Sequence, residues 1–329
     1  MTTISTTIKQ DLEIHRKAII QFLETEALEG FPSNLADSTY HIMTLEGKRL
    51  RPIMVLMAAQ GFGVTTEAAM SAAIAIEVFH NFTLVHDDIM DKALVRRGTI
   101  TVHEKYGVDK AIVTGDAMLP HSMGLLIKGT EEKSAVLMKS FLKMAQEVME
   151  GQQYDMEFET QEIVTVEEYM NMIRLKTSVL FGCACEIGAI LGNASIEDQK
   201  KLYDFGLYTG LAFQIMDDYL DTFGDDTFGK RIGGDILLNK KTFLLINAMQ
   251  NANGDQKARI AKLFDEKDEE AKISGFQDVF KEIGVAKIAL DKMEELHDKS
   301  VEAVMSSGIS EEDKRKLIEL GEIMLSRTT

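Results

Sequence analysis

Apolar residues recur at three- and four-residue intervals along most of the chain, the spacing that gathers them on one face of an α-helix. The first such stretch, 4–29, stops at Gly30-Phe31-Pro32, and the second, 34–46, runs into Gly47-Lys48-Arg49-Leu50-Arg51-Pro52. The pattern predicts further helices over 52–62 and 66–92, from Gly115-Asp116 to about 128, and over 131–158. Thr165 to Ile190 reads as helical and opens with Thr165 and Glu168 at capping-box spacing. Leu202 to Thr222 is another helix, and beyond about 240 helices alternate with charged turns such as 265–270. Arg96-Arg97-Gly98 is expected to be a loop, because the glycine and the following Thr-Ile-Thr-Val break the periodicity. Phe223 to Asn239, rich in Gly and Asp, reads as a flexible lid loop. No alternating β-branched run bounded by tight-turn pairs competes with these helices, so the expected class is all-α. With no linker or repeat to divide it, residues 1–329 are expected to form one large helical domain, although length alone suggests about two.

Composition supports this and narrows the function. Three prolines, no tryptophan and 19 methionines favour helix, and 45% hydrophobic residues suffice for a large core. A formal net charge of −17 argues against a general nucleic-acid or anionic-membrane binder, while leaving room for a polyanion held in one basic pocket. Cys183 and Cys185, two apart in an apolar segment, face different directions on a helix and read as small buried hydrophobes. The first residues lack the apolar core of a signal peptide, and no uninterrupted apolar run reaches the roughly 18 residues of a membrane span. The expectation is a soluble cytoplasmic protein without a stable membrane anchor.

Two acidic blocks stand out. HNFTLVHDDIMDKALVRRG, from His80 to Gly98, carries Asp87, Asp88 and Asp91; FQIMDDYLD carries Asp217, Asp218 and Asp221 at the same spacing. Carboxylates four apart share a helix face and repel by a few tenths of a kcal/mol, so a cation is expected opposite them. Neither block resembles a calcium loop, whereas one or two carboxylates completed by substrate phosphates suit Mg2+. Basic residues suggest the anion. Lys48, Arg49 and Arg51 follow one helix, Arg96 and Arg97 follow the first block, and Lys176, Lys230 and Lys240 lie around the second. In so acidic a chain, cations placed beside acidic blocks fit a diphosphate bridged by metal and gripped by guanidinium forks.

With GKRLRP, the histidine seven residues before Asp87, DDIMD followed by RRG, GD at 115–116, GQQYD, KT, FQIMDDYLD and GK…NK, the chain resembles the trans-isoprenyl diphosphate synthases (the polyprenyl synthetase family) from about residue 40 to at least 245. The resemblance implies an isoprenoid-synthase bundle with a central cavity between the two Asp-rich helices, a homodimer, and three Mg2+ ions per active site. It implies head-to-tail condensation of an allylic diphosphate with isopentenyl diphosphate. Asp87, Asp91 and Asp217 are then metal ligands, Asp221 lies at or beside the metal, and Asp88 and Asp218 support them. Arg96, Lys176 and Lys230 hold the allylic diphosphate; Lys48, Arg51, His80 and Arg97 hold isopentenyl diphosphate. Thr177 and Gln214 lie beside the cationic carbons, Lys240 near the closing lid, and Gln152 and Asp155 assist. His86 and Asp116 have structural readings. Phe82, five residues before Asp87, with the small Thr83 beside it, resembles a synthase of twenty-carbon product; Phe79 supplies a second floor. A farnesyl diphosphate synthase remains the alternative. A terpene cyclase or a non-catalytic synthase subunit stands further off, because both acidic blocks and GKRLRP are intact.

Overall fold

The computed structural model describes residues 6–224 and 232–326. The described elements run α1 (Thr6–Thr25), α2 (Ser33–Met43), α3 (Leu50–Gly61), α4 (Thr66–Met90), β1 (Val95–Arg96), β2 (Thr99–Ile100), α5 (Val102–Tyr106), α6 (Val108–Ile127), α7 (Ser134–Thr160), α8 (Val166–Ile173), α9 (Val179–Leu191), α10 (Ile196–Phe223), α11 (Gly234–Leu237), α12 (Phe243–Asn251), α13 (Gly254–Phe264), α14 (Glu269–Ile283), α15 (Val285–Met305) and α16 (Glu311–Ser326). The all-α expectation holds, with one two-residue hairpin added. The contacts divide into two compact units. The first holds the chain up to Lys143 with Cys183–Tyr203 and Ser307–Glu319; the second holds Met144–Gly182, Asp204–Ser306 and the chain from Leu320.

The first unit is organised on α4, which packs chiefly against α6 and α3. Its run of alanines lets neighbouring helices come close, and Ala69, Ala73, Ile74, Val78 and Phe79 are fully buried. Thr65 caps its start, its hydroxyl accepting from the Ala68 N–H at 3.3 Å. Among the described residues α4 alone is long and apolar enough to cross a membrane, yet 72% of its apolar window is buried, as in a core helix. Cys183 and Cys185 are buried and unbridged in this unit.

The loop expected at 96–98 is the turn of a hairpin: β1 and β2 pair antiparallel, Arg96 opposite Thr99, around Arg97 and Gly98 at φ 51° and 75°. Positive φ at both central residues is the two-residue hairpin turn that matches strand twist. One sequence expectation needs correction here. Helix α6 begins at Val108, so Gly115-Asp116 lies inside it rather than at its start. Gly115 is there because the His86 ring occupies the space a Cβ would need.

In the second unit, α8, α10, α12, α14 and α15 enclose a core that includes Tyr169, Ile215, Phe243, Phe276 and Phe280. The capping box is formed: the Thr165 hydroxyl accepts from the Glu168 N–H at 3.2 Å, and Glu168 accepts from the Thr165 N–H at 2.8 Å. The helix expected over Thr165 to Ile190 is nevertheless interrupted. Arg174–Ser178 winds as one π-helical turn between α8 and α9, and the Ser178 hydroxyl donates to the Ile173 carbonyl at 3.1 Å. Of the expected lid, 225–231, with Lys230, lies outside the described residues, and Gly234–Leu237 is helical rather than loop.

Candidate functional site

Each unit carries one acidic block on a long helix, and in both blocks the middle aspartate turns away from its neighbours. On α4, Asp87 is part-buried and Asp91 is exposed at the helix end, but Asp88 is 1% exposed. The Asp88 carboxylate accepts from Arg96 Nε at 2.8 and 3.0 Å, and Arg96 Nη2 lies 2.7 Å from Oδ1. This fork fastens the hairpin to the helix. Arg96 also stands 3.7 Å from Asp87, so the allylic-diphosphate residue implied by resemblance is anchored between two aspartates of the block.

The residues assigned to isopentenyl diphosphate gather in the same unit. Lys48 is exposed on the segment after α2, Arg51 lies in the first turn of α3, and His80 lies on α4. Arg51 Nη1 donates to His80 Nε2 at 3.3 Å, which requires that nitrogen to be unprotonated. Burial, reinforced by the charges of Arg51, Arg97, Arg96 and Arg49, holds His80 well below the usual imidazole range. Burial brings Arg51 down to about 10, against the opposing pull of Glu77, so Arg51 remains charged at pH 7. Arg49 behaves differently. It is 6% exposed, and its Nη1 donates to the buried Glu77 at 2.6 Å. Glu77 escaped the sequence reading; the one signal was an acidic residue inside the apolar run of α4.

The proposed length-setting residues adjoin this cluster. Phe79 is fully buried and Phe82 nearly so. The Phe82 ring lies 5.5 Å from that of Phe79 and 5.0 Å from that of His86, and Phe79 packs edge-on to Phe141 at 5.2 Å. The Thr83 hydroxyl donates to the His80 carbonyl at 2.7 Å. His86 lies 3.1 Å from the Ile112 carbonyl and 3.9 Å from Asp116, in keeping with a structural role for both.

In the second unit the π-turn presents Lys176 and Thr177 to different partners. Lys176 Nζ pairs with Asp155 at 2.6 Å, and Lys240 adds a second positive field there. Thr177 donates to Gln214 Oε1 at 3.2 Å, and Gln214 Nε2 donates to Asp218 Oδ1 at 3.3 Å. Asp218 is 3% exposed, and its other oxygen accepts from the Tyr169 hydroxyl and, at 2.9 Å, from the Phe243 N–H. Burial, with the charges of Asp235 and Asp217 adding, pushes Asp218 up to about 7 despite those donors. Asp218, like Asp88, is thus a buried anchor. Asp217 stays part-buried on α10, and Asp221 accepts from the Asp235 N–H at 3.0 Å. Tyr169 was also missed by sequence, since a tyrosine on an apolar helix face looks like core. Gln152 lies part-buried on α7, three residues before Asp155.

A divalent cation fits these blocks. Asp87 with Asp91, and Asp217 with Asp221, are hard oxygen donors one helical turn apart. No cluster of three or more potential ligand side chains occurs among the described residues. Mg2+ does not need one, because phosphates and waters complete its shell.

Two outcomes follow from this geometry. A Cβ on Gly151 would lie 2.2 Å from the Lys176 backbone nitrogen, so α7 reaches the π-turn only with glycine there. Gly151→Ala is expected to cost about 1–3 kcal/mol in urea denaturation. Burial favours the neutral Asp155 carboxyl, but Lys176 and Lys240 hold it below its ordinary value; carboxyl NMR should show it rising in the variant. The second concerns His80, whose native pKa is depressed from the ordinary 6.5. Its contribution is whole above that value and is lost as pH falls below it, since the unfolded chain takes a proton that the native site refuses, by at most about 1.4 kcal/mol per pH unit. Thermal unfolding between pH 7.5 and 5.5 should show a shallower pH slope for His80→Gln than for the parent, and equal slopes would contradict a neutral native imidazole.

Known proteins share both the sequence and the fold. Geranylgeranyl diphosphate synthase of Methanosarcina mazei is 41% identical over 222 residues, 67% of this chain and 68% of that protein. The Saccharolobus solfataricus geranylgeranyl diphosphate synthase is 39% identical over 255 residues, 75% of this chain and 77% of its own. A crystal structure of the geranylgeranyl pyrophosphate synthetase from Pyrococcus horikoshii superposes with a TM-score of 0.89 at 34% identity, covering 97% of this chain and 99% of that one. The family model described as polyprenyl synthetase matches residues 32–283, and the chain belongs to that family.

Proposed function

We propose that this chain is a Mg2+-dependent prenyltransferase that joins isopentenyl diphosphate head-to-tail to an allylic diphosphate, with geranylgeranyl diphosphate as the main product. The observation that carries this reading is the cluster of Arg51, Arg97 and neutral His80 on the same unit as Asp87 and Asp91. Such a cluster binds a highly charged diphosphate beside a metal-binding face. The names of the relatives support the twenty-carbon product.

Asp87 with Asp91, and Asp217 with Asp221, would each hold Mg2+, which would offset the charge that develops on the leaving diphosphate. Arg96 and Lys176, each oriented by an aspartate, stabilise the same charge, joined by Lys230. As the allylic C–O bond breaks, its electron pair goes to diphosphate and leaves an allylic cation, which the Thr177 hydroxyl and Gln214 amide face. The isopentenyl double bond, positioned by Lys48, Arg51, His80 and Arg97, attacks that carbon. A proton then leaves the adjacent carbon for the released diphosphate. Gln152, Asp155 and Lys240 tune Lys176 and the segment beyond α11. Assembly as a homodimer and a cytoplasmic setting belong to the same reading.

Purified protein incubated with Mg2+, labelled isopentenyl diphosphate and farnesyl diphosphate is expected to give a twenty-carbon diphosphate, and no elongation would refute the synthase. Asp87→Ala should lower kcat/KM by roughly a thousand-fold, on the order of 4 kcal/mol of transition-state stabilisation. A near-normal value would remove Asp87 from the metal site. Phe82 lies about 7.5 Å along the α4 axis from Asp87, at 1.5 Å per residue, so a chain growing along this helix passes its ring. Phe82→Ala should shift the chromatographic product profile to longer chains; an unchanged profile would place the floor elsewhere.

A further inference from the structure

Arg49 stands inside the basic GKRLRP run, yet its side chain is turned into the protein. Its backbone is left-handed, at φ 52°, which costs a non-glycine residue about 1 kcal/mol or more and needs compensation. The guanidinium supplies it. Nη1 donates to Glu77 at 2.6 Å, while Nη2 donates to the Met43 carbonyl at 2.7 Å and the Leu45 carbonyl at 2.6 Å. Met43 is the last residue of α2, where carbonyls lack helical partners, so one side chain closes that helix end and bonds α4. Glu77 is steadied in turn by Asn81, whose amide donates to the Glu77 carbonyl at 2.8 Å and to its carboxylate at 3.3 Å.

The pair lies amid the isopentenyl diphosphate residues. Lys48 precedes Arg49, Arg51 follows two residues later, and His80 comes three residues after Glu77 on α4. Gly47 packs so closely on Arg97 that a Cβ would lie 2.7 Å from its Nη1. The segment from Leu45 to Arg49 has no helix or strand to hold it, so the bonds made by Arg49 set where Lys48 and Arg51 stand relative to His80 and Arg97. Glu77 is also the acidic group within reach of both Arg51 and Arg97, and it offsets part of their positive charge.

We infer that the buried Arg49–Glu77 ion pair is a positioning element for the isopentenyl diphosphate site, preorganising Lys48 and Arg51 against His80 and Arg97 without touching substrate. This rests on the assignment of those four residues to isopentenyl diphosphate. A displaced guanidinium fork loses bidentate geometry and must be ordered at the cost of binding. The effect should therefore fall on one substrate.

The experiment compares steady-state kinetics of Arg51→Ala with those of Arg49→Met/Glu77→Gln, the double change avoiding a buried unpaired charge. The double variant is expected to raise KM for isopentenyl diphosphate by about ten-fold while KM for farnesyl diphosphate and kcat at saturation stay within about two-fold, a loss confined to uniform binding of one substrate. Arg49→Lys, which keeps the charge but not the three-way fork, should fall between the double variant and the parent. An unchanged isopentenyl KM in the double variant, or a matching fall in both substrates and kcat, would overturn the inference. Should the double variant fail to fold, Arg49→Lys decides alone by the same split. If Arg51→Ala leaves isopentenyl KM unchanged, the site assignment itself fails. If it raises KM while the Arg49 variants do not, only the positioning role fails.

Discussion

A carboxylate taken out of water must find donors, and this chain applies that constraint at the same place in both acidic blocks. Asp88 and Asp218 are each buried at the second position of the repeated pattern. Asp88 takes its donors from Arg96 and so fastens the hairpin to α4. Asp218 takes its donors from Tyr169 and the first N–H of α12, and so fastens α8 and α12 to α10. Removing either carboxylate would strand the donors that face it. The flanking aspartates are more open: Asp87, Asp217 and Asp221 are part-buried and Asp91 is exposed.

The same economy of charge explains the basic side of the first unit. Several guanidinium groups converge near His80, an arrangement that burial alone would forbid. It is tolerated because Glu77 offsets part of the charge and because His80 stays neutral, accepting a hydrogen bond from Arg51 instead of adding a further cation. The cluster therefore exists before any diphosphate arrives and need not be assembled by it, which is what preorganised binding requires.

Backbone irregularities mark the positions that chemistry needs. The π-turn at Arg174–Ser178 adds a residue to the helical count, sending Lys176 toward Asp155 and Thr177 toward Gln214. Gly151 lets α7 approach that turn closely enough for the ion pair to form. Of the five non-glycine residues with positive φ among those described, Arg49 lies within the basic run, and Lys92 and Arg97 follow the first acidic block. Strain of this kind persists only where neighbouring contacts hold it.

Helical periodicity, the capping box at Thr165, the two acidic blocks and the nearby basic residues were all legible in the sequence, because each is a local pattern of residue type and spacing. The family resemblance added roles to those positions. Spacing put Asp87 and Asp91 on one face, and resemblance gave Asp88 a supporting role, but sequence could not name the partner that holds Asp88 inward, which is Arg96. Nor could it find Glu77 or Tyr169, which look like an oddity and a core residue until a partner distant in sequence meets them. The hairpin at Arg97-Gly98, the continuous α6 through Gly115 and the π-turn beside Lys176 were likewise settled by tertiary packing. Local sequence determined the helices and the inventory of charge; which charges are buried and paired, and which stay available for chemistry, was decided only when distant segments came into contact and had to satisfy one another's hydrogen bonds.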